Sequence, residues 1–374
     1  MSNTLLTPTV IAREALLALE NNLVLGNLVH RDFSNEFVKV GDTVRVRKPA
    51  TFTAVEFDGD LTGELQAITE GYVDVKMDKV LDVSFELTSQ ELTLDLQNFQ
   101  TQVMDPAMRA LAQAVDERIA QLALDIPYFV SYDGTSDATK TQNVADIRAM
   151  LNTNKVPMVD RRAVLDPTTE SKLITVASFL NAEKRGDTKA LREGSMGRVM
   201  GMDWFMDQNI QAAPADSDDL AGAIDSGNGG YAAGTTTIHV DALGTTAIKK
   251  GTILTIADCA GQYVVTEDVT PGTNECDIKI YPGLAAQAVE DKVVTLKATH
   301  KMNLAFHKNA FALVTRPLAQ PLGGAKAAVV NFRGLSCRVV YDYTILTKTN
   351  VVSIDILCGF KTLTQELACR YTYA

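Results

Sequence analysis

A change of texture in the middle of the chain limits how it can fold. Residues 214–234 contain five glycines and four aspartates and show almost no hydrophobic periodicity, which is typical of a linker. Short apolar segments separated by turn residues follow within 235–298 and predict a small β-barrel or sandwich. From Met302 the chain returns to long segments like those before the linker. The sequence therefore predicts a small β-domain inserted into a larger domain.

The clearest helix is predicted at residues 105–125. Asp105 suits the N-cap and Pro106 suits the first helical position. Apolar residues then follow at spacings of three and four, namely Met108, Leu111, Ala112, Val115, Ile119 and Leu122. Pro127 ends the pattern. Because a helix rises 1.5 Å per residue, the prediction is a rod of roughly 30 Å.

Three other segments before the linker have recognisable periods. Residues 7–29 predict an amphipathic helix at the N-terminus. Residues 41–95 alternate with a period of two, which predicts half-exposed strands on either side of a polar loop. Residues 143–213 predict helices alternating with strands, including a helix over 168–180 that begins with a threonine cap.

Charge and composition exclude several classes of protein. The 374 residues are long enough to bury a core without disulfides or metals. The net charge of −11 is unsuited to coating free nucleic acid, since phosphate contacts need Lys and Arg. No apolar run approaches the roughly 18 residues of a membrane span. Arg13 and Glu14 interrupt the N-terminal apolar stretch, so we expect no signal peptide and folding in a cytoplasm. The five cysteines lack CxxC spacing, which favours free, buried thiols.

Motifs for catalysis and ligand binding fail on inspection. Ser195 lacks the glycine two residues earlier that a nucleophile elbow needs, and the glycines before Lys326 lack the order of a phosphate loop. Residues 58–63 begin like a calcium loop, but Thr69 stands where glutamate is required. The four histidines are too scattered for a metal triad. We therefore predict no catalytic, cofactor or metal site, and we expect that the protein is not an enzyme.

Several short segments, taken in chain order, resemble one known family. They are Gly197–Asp203 with Asn209-Ile210, then Lys249–Ile253 with Ile256, then Asn303–Phe311 with Arg316-Pro317-Leu318, and finally Tyr341-Asp342, Val351–Leu357 and Gly359-Phe360-Lys361. Their order over nearly the whole chain resembles that of the major capsid (coat) proteins of tailed bacteriophages. The closest likeness is to the podovirus coat type, which carries an inserted β-domain.

The resemblance implies the α+β fold shared by tailed-phage and herpesvirus capsids, with a small inserted β-barrel. The parts that it implies are an N-terminal arm (1–30), an extended loop with peripheral-domain strands (31–95), a spine helix in the peripheral domain (96–139), a first part of the axial domain (140–213), the inserted β-domain (214–301) and a second part of the axial domain (302–374).

The implied function is that of a major capsid protein. Such a protein self-assembles into the icosahedral shell of a tailed bacteriophage and encloses double-stranded DNA without sequence-specific binding. The implied partners are other copies in pentamers and hexamers, a scaffolding protein and a portal. Assembly would take place in the host bacterial cytoplasm and the product would be part of the virion, with no cofactor and no membrane. Two alternatives stay open: a shell protein of a cellular nanocompartment with the same fold, and a β-rich adhesin, against which the missing signal peptide argues.

An acidic cluster in the predicted extended loop is the candidate for a contact between subunits. It comprises Glu56, Asp58, Asp60 and Glu64, with no basic residue among them. Basic pairs are available elsewhere in the chain at Arg161-Arg162 and Lys184-Arg185. We expect the acidic tip of one subunit to dock by charge on a basic pair of its neighbour.

Overall fold

The computed structural model describes most of the chain, in stretches separated by short gaps. The described residues are 8–31, 43–47, 54, 56, 65, 71–88, 103–132, 136–181, 183, 186, 189–213, 220–227, 229–272, 274–316, 318–321, 326–332, 335–345 and 349–373.

Helices are concentrated in the first half of the chain and strands in the second. The α-helices are α1 (Pro8–Asn22), α2 (Leu25–Leu28), α3 (Asp105–Gln121), α4 (Asp137–Thr153), α5 (Pro167–Ile174), α6 (Ala177–Leu180) and α7 (Lys189–Glu193). The strands are β1 (Thr43–Arg47), β2 (Tyr72–Lys76), β3 (Lys79–Thr88), β4 (Phe129–Tyr132), β5 (Arg161–Leu165), β6 (Gly197–Val199), β7 (Met202–Met206), β8 (Leu220–Ile224), β9 (Thr237–Asp241), β10 (Ile253–Ile256), β11 (Cys259–Val265), β12 (Cys276–Tyr281), β13 (Val293–Leu296), β14 (Asn303–His307), β15 (Phe311–Arg316), β16 (Lys326–Phe332), β17 (Leu335–Thr344), β18 (Thr349–Thr362) and β19 (Ala368–Tyr373).

The chain divides into two compact units, each built from separated stretches of sequence. The first unit comprises Met1–Asn21, Arg31–Leu111 and Ala312–Leu363. The second comprises Asn22–His30, Ala112–Phe311 and Thr364–Ala374.

The first unit contains a five-stranded sheet and a two-stranded ribbon. The sheet has the order β15-β18-β17-β16, and β3 pairs with β18 over ten residue pairs. The ribbon pairs β1 with β2 in antiparallel register. Its alternating Val44, Val46, Val75 and Met77 are buried, whereas the residues between them face solvent. The predicted period of two is confirmed here, and one face of the ribbon packs on the core.

The second unit is built around a six-stranded sheet of order β4-β19-β14-β5-β7-β6. Its core combines α4, α5 and α6 with the sheet, through residues such as Ile147, Leu173, Phe179, Trp204 and Tyr371. This is the arrangement that the alternating helices and strands of residues 143–213 predicted.

A closed six-stranded barrel of order β10-β11-β12-β9-β8-β13 belongs to the same second unit. It has its own hydrophobic core, which includes Ile238, Leu254, Tyr263, Ile278 and Val294. The inserted β-barrel predicted from the turn-rich block is therefore confirmed.

One barrel strand lies where a linker was predicted. Leu220–Ile224 forms β8, which closes the barrel between β9 and β13. A Cβ added at Gly222 would lie 2.5 Å from the backbone oxygen of Asp241, so the glycine permits close approach of β8 and β9. The linker prediction was wrong for these residues because glycine serves strand packing here rather than a turn. Residues 214–219 lie outside the described part.

The predicted second axial part, residues 302–374, is divided between the two units. Residues 312–363 join the first unit, where β18 pairs with β3. The rest supplies β14 and β19 to the second unit. Pairing between strands more than 260 residues apart leaves no local signal in the sequence.

Helix ends differ in detail from their predictions. The N-terminal helix stops at Asn22 and a short α2 follows, while the 105–125 helix continues into a 3-10 turn after Gln121. The 168–180 segment forms α5 and α6, and Asp166, not a threonine, caps α5 by accepting a hydrogen bond from the Thr168 backbone N–H.

Helix α3 provides a stability test. Val115 is buried on the stripe with Leu111 and Ile119, whereas Gln113 on the same helix is exposed. We predict that Val115→Asp costs several kcal/mol, because it places an unpaired charge in an apolar environment, and gives insoluble protein. Gln113→Asp is the matched control and should stay soluble. Soluble, natively folded Val115→Asp protein, measured by sedimentation and circular dichroism, would contradict the burial of this stripe.

The barrel core predicts independent folding. A fragment of residues 215–300 contains all six barrel strands and their common core. We expect this fragment, expressed alone, to give a dispersed amide spectrum by NMR. A narrow, random-coil spectrum would show that the barrel depends on the rest of the chain.

Candidate functional site

The barrel is attached to the edge of the six-stranded sheet by a side-chain amide. Strand β4 is the last strand of that sheet. Gln262 on β11 accepts a hydrogen bond from the Phe129 backbone N–H at 2.7 Å and donates one to the Phe129 carbonyl oxygen at 2.7 Å. The amide therefore pairs with the strand edge as a further strand would, and satisfies two backbone groups that need partners.

A buried arginine makes the second attachment. Arg370 on β19 is fully buried, and its Nη1 donates a hydrogen bond to the Gly251 carbonyl oxygen at 2.8 Å. Burial lowers the pKa of Arg370 to about 9. Because Arg370 belongs to the sheet and Gly251 to the turn before β10, this bond ties the barrel to the interior of the second unit.

Gly251 is required at this place by space as well as by conformation. Its φ is +89°, a region that side chains other than glycine rarely adopt. A Cβ added there would lie 2.4 Å from Leu124 Cδ2 and 3.1 Å from Leu124 Cα. The turn therefore lies directly against the 3-10 segment that follows α3.

Polar contacts surround these two attachments. Lys250 Nζ lies 2.8 Å from Asp125 Oδ1, and the Tyr281 hydroxyl is 3.1 Å from Glu366 Oε1. The His300 ring lies with its centroid 4.7 Å from that of Phe129. Burial lowers the pKa of His300 to about 4, so its ring is neutral at physiological pH. We call the contacts of Gln262, Arg370, Lys250 and Tyr281 with the body the barrel junction.

A second polar site fixes the root of the N-terminal arm. The Asp116 carboxylate on α3 accepts hydrogen bonds from the backbone N–H groups of Val24, at 2.7 Å, and Gly26, at 2.8 Å. The Arg162 Nη1 donates to the Leu28 carbonyl oxygen. The His30 N–H then donates to the Phe311 carbonyl oxygen at 3.1 Å. The segment after α1 is thus held by three successive contacts.

The predicted basic pair Arg161-Arg162 is used inside the subunit. Arg161 is buried, with Nε 2.8 Å from the Pro157 carbonyl oxygen and Nη2 2.6 Å from that of Val156. Arg162 binds the arm root. Both guanidinium groups are therefore occupied by carbonyl groups of their own chain, which corrects their selection as contact residues.

The other contact candidates are largely beyond what the structure describes. Glu56 is exposed. The remaining five, Asp58, Asp60, Glu64, Lys184 and Arg185, lie outside the described residues. The structure therefore does not bring the acidic tip and the basic pairs together, and their contact stays a prediction.

Sequence reasoning missed the residues of both polar sites. Gln262 and Asp116 are polar residues in ordinary amphipathic patterns, and neither belongs to a motif. Arg370 carried a signal, since it is a lone charge in the apolar segment Leu367–Tyr373. Charges at such positions are seldom fully buried without a partner. The turn before β10 had been singled out only for the family resemblance.

Two searches bear on other functions. Within the described residues, no group of three or more His, Cys, Asp or Glu side chains is placed to hold a metal ion. Over the same residues, none of the helices is both long enough and apolar enough to cross a membrane.

Comparison with solved structures identifies the class of protein. A structure from Mycobacterium phage Che8 matches 93% of this chain and 90% of its own, with 14% identity and a TM-score of 0.53. The capsid structure of the cyanophage P-SCSP1u matches 94% of this chain and 88% of its own, with 14% identity and a TM-score of 0.50. The fold is that of the tailed-phage capsid subunit, as the resemblance implied.

Sequence comparison then identifies the family. The model of the P22 coat protein family (gene protein 5) matches residues 2–267. The chain belongs to the P22 coat protein family and is a phage major capsid protein, the subunit that forms the shell. Curated proteins give no match.

The barrel junction predicts a specific loss of stability. Gln262→Ala leaves the N–H and carbonyl of Phe129 without partners, and this should lower the free energy of unfolding by about 1–3 kcal/mol. Gln262→Glu should lose part of that, since a carboxylate accepts from the N–H but cannot donate to the carbonyl. Gln113→Ala, on an exposed helix face, is the control. Urea unfolding measures all three, and equal stabilities would contradict the junction.

Proposed function

We propose that this coat protein assembles into an icosahedral shell of pentamers and hexamers, which encloses the double-stranded DNA of a tailed bacteriophage. The family match over residues 2–267 is the observation that carries the proposal. The same match favours a phage shell over a cellular nanocompartment of the same fold. We also propose that a scaffolding protein and a portal take part, and that assembly occurs in the host bacterial cytoplasm.

The exposed face of the β1-β2 ribbon supports contact between neighbouring subunits. The Arg45 guanidinium lies 4.0 Å from the centroid of the Tyr72 ring, and its Nε is 3.0 Å from Asp74 Oδ1. Tyr72 is 57% exposed although the opposite face of the ribbon is buried. Tyrosine and arginine are enriched among residues that dominate protein interfaces. The ordered outer face therefore suits binding to another copy of the chain.

Charge is consistent with enclosing DNA. The net charge of −11 disfavours tight binding of the shell subunit to phosphates. An acidic shell leaves the packaged genome free to leave.

Electron microscopy tests the proposed function. The full chain is expressed alone and together with the genes that neighbour it, and the purified product is examined by negative stain. We expect closed shells in at least one of the two preparations. Monomers or small oligomers in both preparations, confirmed by sedimentation, would contradict the proposal.

The acidic tip predicts a charge-dependent step in assembly. Asp58→Lys with Asp60→Lys should leave the subunit folded but slow or prevent shell formation, with Lys184-Arg185 as the proposed partner. One exposed pair contributes only about 0–1 kcal/mol, but a shell repeats the contact over many subunits. Glu193→Lys with Glu275→Lys makes the same charge change on exposed residues elsewhere and is the control.

Reversal of the partner completes this test. Adding Lys184→Asp and Arg185→Asp to the double-lysine variant should restore part of the shell yield. Assembly of the wild type should also weaken with salt, since screening acts over roughly 8 Å at physiological ionic strength. Normal yield and normal salt response in the double-lysine variant would show that the acidic tip is only a solvated loop.

A further inference from the structure

The root of the N-terminal arm is wrapped around one buried carboxylate. Asp116 is 1% exposed, and its Oδ2 and Oδ1 accept the N–H bonds of Val24 and Gly26 respectively. A Cβ added at Gly26 would lie 3.0 Å from Leu23 Cδ2 and 3.5 Å from Asp116 Oδ1. The segment therefore fits closely over the carboxylate, and opening it would expose Asp116 to water.

A second buried carboxylate acts on the first. Asp207 directly follows β7 and is 2% exposed. Its Oδ1 accepts hydrogen bonds from the backbone N–H and the side-chain amide of Asn209, both at 2.9 Å, whereas its Oδ2 has no hydrogen-bond partner within the described structure. Two acidic groups buried near one another cannot both ionise without mutual repulsion.

We propose that the Asp116–Asp207 pair is a proton-operated latch on the arm root, which is closed while the pair holds a proton and loosens when that proton is lost. The latch itself is a property of the single subunit. Its use, which is to let the arm change position during shell assembly, rests on the proposed function.

The direction of the effect follows from linkage. Burial raises the pKa of Asp116 to about 7, the N–H bonds of Val24 and Gly26 oppose this rise, and Asp207 adds to it. Burial also raises the pKa of Asp207. When the root opens, Asp116 returns to the ordinary pKa near 4 of a solvated carboxyl. The closed state therefore binds the proton more tightly, so its stability is greatest in acid and falls as pH rises towards 7.

Other charged groups near the root are engaged elsewhere. Glu117, the next residue on α3, accepts a hydrogen bond from Gln211 Nε2. Arg162 on β5 donates to the Leu28 carbonyl oxygen. Asp207 is thus the group through which the sheet acts on the charge of Asp116.

Hydrogen exchange of the full-length, unassembled subunit tests the latch. Protection of the Val24 and Gly26 amides, corrected for the intrinsic exchange rate at each pH, is measured from pH 5 to 8.5. Protection should fall by about tenfold per pH unit between pH 5 and 7 and then level off. In Asp207→Asn the fall should move to lower pH, because a negative neighbour is removed. Asp116→Asn should give protection that is independent of pH, and Asp146→Asn on α4 should behave like the wild type.

Each outcome decides the proposal. Protection independent of pH in the wild type overturns it, as does a pH dependence that Asp207→Asn leaves unchanged. If Asp116→Asn fails to fold, the wild type and Asp207→Asn decide alone. A titrating latch in a protein that never forms shells would refute the proposed function and leave the latch standing, while shells from a protein with no titration would do the reverse.

Discussion

The guanidinium of Arg370 is the interaction on which the second unit depends. It is fully buried on a strand inside the six-stranded sheet and binds the backbone of the turn that leads into the barrel. A charge buried in this way is costly to leave unpartnered, about 3–5 kcal/mol when its partner is removed. The barrel turn must therefore stay where Arg370 can reach it. Gln262 then fixes a second point, so that two attachments restrict how the barrel can turn on the sheet.

The attached barrel makes structural sense for a shell subunit. Domains joined by short connections move relative to one another unless their interface is substantial. One sequence in a shell meets several different neighbours, and the adaptable parts are best limited to arms and loops on a rigid body. Here the barrel junction provides the rigid part. The arm root is held by fewer contacts, centred on one carboxylate, and so can respond to conditions.

Local rules of sequence predicted the elements whose causes are local. The Asp105-Pro106 start and the apolar stripe of α3 were sufficient to place that helix, and alternation placed most barrel strands. Strand β8 was missed because the reason for Gly222 lies in the backbone of Asp241, a partner that only the folded barrel supplies. The pairing of β3 with β18 and the internal use of Arg161 were missed for the same reason. Both polar sites consist of single side chains that meet backbone groups distant in sequence, and no motif marks them.

Distance measurement between spin labels tests most directly whether the barrel and the sheet form one body. Labels are attached at Asn152→Cys on α4 and Thr295→Cys on β13, two exposed positions, while the described native cysteines are buried. The account predicts one distance distribution, as narrow as that of a control pair at Asn152 and Glu193, and a broader one when Gln262→Ala is added. A broad distribution in the otherwise wild-type chain would show a loosely tethered barrel and would contradict the account.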